Sequence, residues 1–191
     1  MKRLWITGYR SYELGVFSKH DPKFKVLEYV LKEQLTQFIN RGYSWLITGA
    51  QLGIEQWSVF AASQLKKQFP NTFQIAVMLP FYHLDQHWNS HNQLQMHRTI
   101  QLADFSRAVS DKSYQSPVQL FNYQDFMLAH TDAALLIYDP DYPGKTKYDY
   151  HQIKRYAQYH HYPVTLLTMD DLQDSANEYE LIYKEKHYKR D

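Results

Sequence analysis

"WLITGAQLGIEQWSVFAASQL" (residues 45–65) decides the fold. It opens as an apolar run and closes with Ile54, Trp57, Ala61 and Leu65 spaced three and four apart, a stripe that extends to Phe69 before Pro70 stops it. A short apolar run that passes directly into helical period is a strand handing over to a helix. Gly49 and Gly53 occupy the handover with Glu55 just beyond them, in a chain that has six glycines in all. Either the turn is tight so that helix and strand can pack, or bare backbone is left there to hold a ligand.

The same strand-then-helix grammar runs outward in both directions. Strands are expected over 3–7, 44–48, 73–79, 106–109, 133–138 and 163–168, where near-continuous apolar segments such as "IAVML" and "AALLIY" fit strands covered on both faces. Leu27, Leu31, Leu35, Phe38 and Ile39 line one helical face that Arg41-Gly42 closes. Further helices are expected over 85–103, over 119–130, and from Tyr148 onward with Ile153, Tyr156, Ala157 and His160 on one face. Such alternation specifies a doubly wound α/β sheet of three layers, with the strand order left open. Residues 1–175 make one domain, and the charged stretch 176–191 reads as a surface tail.

Composition narrows the function classes. With 191 residues the chain suffices for one core, and 44% hydrophobic with 21% charged residues is ordinary for a globular protein. A formal net charge of +1 argues against nucleic acid or an anionic membrane as partner. The absence of cysteine excludes disulfides, thiolate metal sites and a Cys nucleophile. No leader peptide and no apolar run of membrane-spanning length are expected, which places the chain in the cytoplasm.

In an open parallel sheet, ligands bind beyond the carboxyl ends of the strands. After the first strand, Gly8, Tyr9 and Arg10 offer open backbone, a ring for stacking and a guanidinium for a phosphate, or else a polar surface turn. After the second, helix N-terminal amides between Gly49 and Gly53 suit an anion, and Glu55 can cap the helix or reach a ribose hydroxyl. The spacing is neither a dinucleotide fingerprint nor a Walker loop. After the fifth, Gly144, Lys145, Thr146 and Lys147 precede a helix, as an anion cradle or as a solvated loop. "LPFYHLDQHWN" (79–89) adds Phe81, Tyr82 and Trp88 as base-stacking rings or as helix cover. His83, His87 and His91 recur every four residues, but on a helix the outer two lie about 12 Å apart along the axis, so no metal is expected there. Neither a serine nucleophile elbow nor a pair of catalytic carboxylates stands out; if the chain is an enzyme, Glu55 is its acid/base.

An ordered set of segments resembles the YpsA family of the SLOG superfamily, whose branches include Smf/DprA and LOG. They are "ITGYRSYELGVF", "ITGAQLGIEQW", "LPFYHLDQHWN", "YQSPVQLFNYQDFMLAHTDAALLIYDP" and "YPVTLLTMDDL", and they cover nearly the whole chain. The resemblance implies a modified Rossmann fold with a nucleotide pocket over the strand ends, built from Gly8, Tyr9, Arg10, Gly49, Gln51, Gly53 and Glu55. It implies a ligand related to NAD or ADP-ribose, an association with cell division and stress in Gram-positive bacteria, and hence a protein partner there; a homo-oligomer is compatible with it. LOG-branch hydrolases carry P-G-G-x-G-T-x-x-E where this chain reads "PGKTKYDYH", a departure that speaks for binding or sensing over hydrolysis. The DprA branch binds single-stranded DNA, and this chain lacks the basic balance for it apart from Lys184, Lys186, Lys189 and Arg190 near its end.

Overall fold

A computed structural model describes residues 1–188; Lys189 and Arg190 lie outside the described residues. The chain alternates β1 (Lys2–Gly8), α1 (Pro22–Asn40), β2 (Tyr43–Thr48), α2 (Ile54–Leu65), β3 (Gln74–Phe81), α3 (Ser90–Leu102), β4 (Phe105–Ser110), α4 (Val118–Ala129), β5 (Ala133–Ile137), α5 (Lys147–Ala157), β6 (Val164–Leu167) and α6 (Met169–Tyr188). The sheet is six-stranded and parallel throughout, in the order β4-β3-β2-β1-β5-β6. β1 therefore lies at the centre, and the order reverses between β1 and β5. That reversal is the place where an α/β sheet opens a crevice above its strand ends.

Helices cover both faces. On one side α1 packs against α2 and α6, and α2 against α3; on the other, α4 meets α5 and lies over β3 and β4. The central strands are buried on both faces, and Leu4, Trp5, Leu135, Leu136 and Ile137 are fully inaccessible. This is why they read as continuous apolar runs. The edge strands β4 and β6 are only partly covered, so their patterns are weaker.

Local chemistry fixes the boundaries. α1 begins where the Asp21 side chain accepts from the Lys23 amide and Pro22 takes the first turn; Arg41 caps its end, and Gly42, with φ 84°, turns the chain away. α3 starts later than its sequence suggests, at Ser90, because Asn89 caps it through the Asn92 amide. His83 and His87 consequently lie in turns before that helix, and only His91 belongs to it. The segment from residue 176 continues α6 as far as Tyr188, and Tyr179 of this helix rests its ring 5.6 Å from that of Tyr29 in α1. Among the described residues no helix is long and apolar enough to cross a membrane.

Candidate functional site

Three loops leave the adjacent carboxyl ends of β2, β1 and β5, and the structure interlocks them. The backbone after β1 pairs with the turn after β2: the Ser11 amide donates to the Leu52 carbonyl and the Ile54 amide to the Tyr9 carbonyl, both at 3.1 Å. Gly53 lies in the middle of this bridge with φ 110°, and a side chain there would strike the Ser11 nitrogen and Tyr9 oxygen at 2.5 Å. Its bare backbone makes room for the neighbouring loop. Tyr9 turns its ring into the core, and its hydroxyl donates to the Tyr142 carbonyl at 2.7 Å while accepting from the Asp139 amide at 3.0 Å. The first loop thus pins the third. A Tyr9→Phe variant leaves the buried Asp139 amide unpaired, an expected cost of about 2 kcal/mol. Thermal unfolding should register it as a fall of about 5 °C.

Glu55, in the first turn of α2, folds back over its own loop. One carboxylate oxygen accepts from the Gln51 amide at 2.8 Å; the other accepts from the Thr7 hydroxyl at 3.0 Å and faces Arg10 Nη1 at 3.4 Å. A side chain at position 49 would collide with that first oxygen and with the Tyr123 hydroxyl, so Gly49 is the space that both occupy. Asp149, in the first turn of α5, approaches the same point from the other side. Its Oδ2 lies 3.4 Å from the Thr7 hydroxyl, and its Oδ1 accepts from Gln124 at 2.7 Å. Two buried carboxyls from separate helices thereby share one hydroxyl at the end of the central strand.

The electrostatics follow from burial. Desolvation pushes the Asp149 carboxyl up to about 6 and the charge of Glu55 adds to the rise, against the pull of Arg10, Gln124 and Thr7. Desolvation likewise drives the Tyr123 hydroxyl well above the ordinary tyrosine range. Burial disfavours the Arg10 cation, yet Glu55 and Asp149 outweigh it, and Arg10 is held more firmly charged.

These groups form the floor of a cleft of about 630 Å³. Its walls are apolar, with Leu52, Pro80, Trp88, Leu120, Phe121 and Tyr148 among them, and Lys145 stands at the side. That volume lies within the range of small-molecule sites.

The family model described as the YspA SLOG family matches residues 4–172. The chain belongs to the YpsA family. Relatives in it include the UPF0398 protein of Lacticaseibacillus casei, 53% identical over 175 residues (92% of this chain and 91% of that one). The UPF0398 protein of Lactobacillus gasseri is 46% identical over 188 residues, with 98% of each chain covered. That of Lactobacillus johnsonii is 47% identical over 189 residues, covering 98% of this chain and all of the other.

Of the residues singled out in this YpsA-family chain, Arg10, Gln51, Glu55 and Lys145 line the cleft, and so does Trp88. Gly8, Gly49 and Gly53 serve the framework, as does Thr146, whose buried hydroxyl donates to the Gly8 carbonyl at 2.7 Å. Gly144 packs against Glu13, which accepts from the Lys145 amide. Phe81 is buried with its ring 5.2 Å from Tyr114. Asp149, Tyr123 and Gln124 do not stand out in the sequence, nor does the meeting of Asp149 with Glu55 at the Thr7 hydroxyl. A signal for Asp149 existed: like Glu55, it occupies the first turn of a helix that follows a strand in the sheet centre. Tyr123 and Gln124 had none, because they reach the cleft from α4, far along the chain from the loops after β1 and β2.

Proposed function

We propose that this chain binds a nucleotide in the cleft, as a binding or sensing protein for a ligand of the NAD or ADP-ribose type. The observation that carries this reading is a pocket at the switch point of a parallel sheet that joins aromatic walls to a polar floor. Trp88, Phe121 and Tyr148 offer faces for a planar base, and the floor offers hydrogen-bonding groups for a sugar. The Gln51 and Ile54 amides already have partners in Glu55 and Tyr9, which leaves the α2 N-terminus fewer donors for a phosphate. Cationic charge for phosphate comes instead from Lys145, at the side of the cleft.

Titration calorimetry with NAD, ADP-ribose and nucleoside phosphates tests the reading, with micromolar binding of at least one expected. Trp88→Ala should weaken that binding about 10-fold, the size of one lost stacking contact. If the folded protein binds none of them, the reading fails.

A second reading, hydrolysis of a nucleotide's glycosidic bond, is favoured by one specific observation, the Glu55–Asp149 pair. Asp149 follows Thr146 by three residues, the spacing of the glutamate in P-G-G-x-G-T-x-x-E, and supplies an acid at that place. In this scheme water adds across the bond: Glu55 takes the water's proton and Asp149 gives one to the departing base. Prolonged incubation with the same nucleotides and chromatography for free base separates the readings, since intact nucleotide means sensing.

A further inference from the structure

The cleft floor contains one polar group that the protein leaves unused. Tyr123 is more than nine-tenths buried, and its hydroxyl neither donates to nor accepts from any protein atom. Such a group costs about 1–3 kcal/mol unless something outside the chain satisfies it. It lies over Gly49 beside the Glu55 carboxylate, and both residues line the cleft. Glu55 faces it from α2, Asp149 from α5 and Arg10 from the loop after β1, and each of these acts electrostatically on its hydroxyl.

The sign of this floor selects the ligand group. Glu55 is salt-bridged to Arg10, and Thr7, Gln51 and Gln124 donate to the two carboxyls; Arg10 Nη1 also donates to the Gly8 carbonyl at 3.4 Å. An incoming phosphate would set its oxygens against these acids, a repulsion of about 4 kcal/mol per unit charge at 4 Å near a protein surface. A hydroxyl meets the opposite situation, because it can donate to a carboxyl oxygen and either donate to or accept from Tyr123. Two neighbouring hydroxyls satisfy both. The ammonium of Lys145 stands outside, exposed, with no ion-pair partner among the described residues.

We propose that the Tyr123–Glu55–Asp149 floor is a subsite for the vicinal diol of the ligand's sugar, which seats the sugar inward and keeps the phosphates at the mouth beside Lys145. This inference rests on the nucleotide reading. It makes the chain a discriminator of ribonucleotides from their deoxy counterparts, a selectivity that neither the wall residues nor the cations supply.

Calorimetry with ADP, 2′,3′-dideoxy-ADP and inorganic pyrophosphate tests it on the wild-type chain and on Tyr123→Phe. Wild type should bind ADP about 30-fold more tightly than the dideoxy analogue, the range expected for lost hydrogen bonds to charged groups. Pyrophosphate should not compete measurably with ADP. In Tyr123→Phe that preference should shrink about 10-fold while the melting temperature of the ligand-free chain holds or rises, since the hydroxyl has no partner within the protein to lose. A melting temperature that falls with an unchanged preference marks a structural hydroxyl and overturns the subsite. Equal binding of ADP and its dideoxy analogue, or displacement of ADP by pyrophosphate, also overturns it and leaves the nucleotide reading intact. Failure of ADP to bind folded wild type overturns the subsite; failure of NAD and ADP-ribose as well overturns the reading beneath it.

Discussion

Gly53→Ala is expected to destabilise the fold by about 4 kcal/mol, and it should do so through packing rather than through a ligand. Two costs combine. At φ 110° and ψ −136° the residue occupies backbone space that is essentially closed to side chains, a strain of about 1–3 kcal/mol. A methyl group would also meet the Ser11 nitrogen and Tyr9 oxygen at 2.5 Å and the Arg10 carbonyl carbon at 2.8 Å. All three are backbone atoms and do not rotate away. Relief requires separating the two loops, which gives up the hydrogen bonds Ser11–Leu52 and Ile54–Tyr9. The melting temperature should fall by about 12 °C for a chain of this size. Gly42→Ala is the matched control: φ is also positive there, at 84°, but nothing lies within 4 Å of the new methyl. Its expected cost is about 1 kcal/mol. If the two variants melt together, the contact between loops contributes little and the interlocked floor described above is wrong.

That contrast also shows what the sequence could and could not say. The glycine pair correctly marked the turn from β2 into α2, because a strand that enters a helix within a few residues needs unusual backbone. It did not reveal which of the two open explanations held at each position. At Gly53 the answer is packing, and it depends on Tyr9–Ser11, some forty residues earlier in the chain. At Gly49 the space is filled from within, by Glu55 and by a tyrosine of α4. The strands were legible for a related reason: burial on both faces writes a continuous apolar run, and even the half-covered β4 left a readable trace. Strand order was not legible, since pairing partners leave no mark within either strand. α6 was misjudged because it is an exposed helix with few buried positions, and its charged surface resembles that of a tail. The carboxyl pair was missed because its members stand 94 positions apart and meet only through Thr7.

Asp149 gives the clearest handle on that pair, through pH. Its carboxyl has an ordinary value of 3.8 and is raised to about 6 in the fold, first by burial and further by Glu55. Between these values the folded chain holds a proton that the unfolded chain has released, so stability must fall as pH rises through this window. Below about pH 4 both states are protonated and the group contributes no difference. Above about pH 6 the folded state carries a buried charge at its full cost, about 3 kcal/mol for a shift of this size. Asp149→Asn reproduces the protonated carboxyl: its oxygen still accepts from Gln124, and its amide can donate to Thr7. Denaturant unfolding of both proteins should therefore coincide near pH 4 and diverge above it, with the variant more stable by about 3 kcal/mol at pH 8. Taking the difference between variant and wild type removes Asp132 and Asp171, whose depressed values make their own contributions fade as pH falls. Parallel pH profiles would mean that Asp149 is ionised throughout, that Arg10 shields it fully, and that the floor holds no exchangeable proton for either binding or hydrolysis. A divergence in the predicted direction would instead identify a native state that keeps a destabilising acid at the end of its central strand, as chains do where a site needs one.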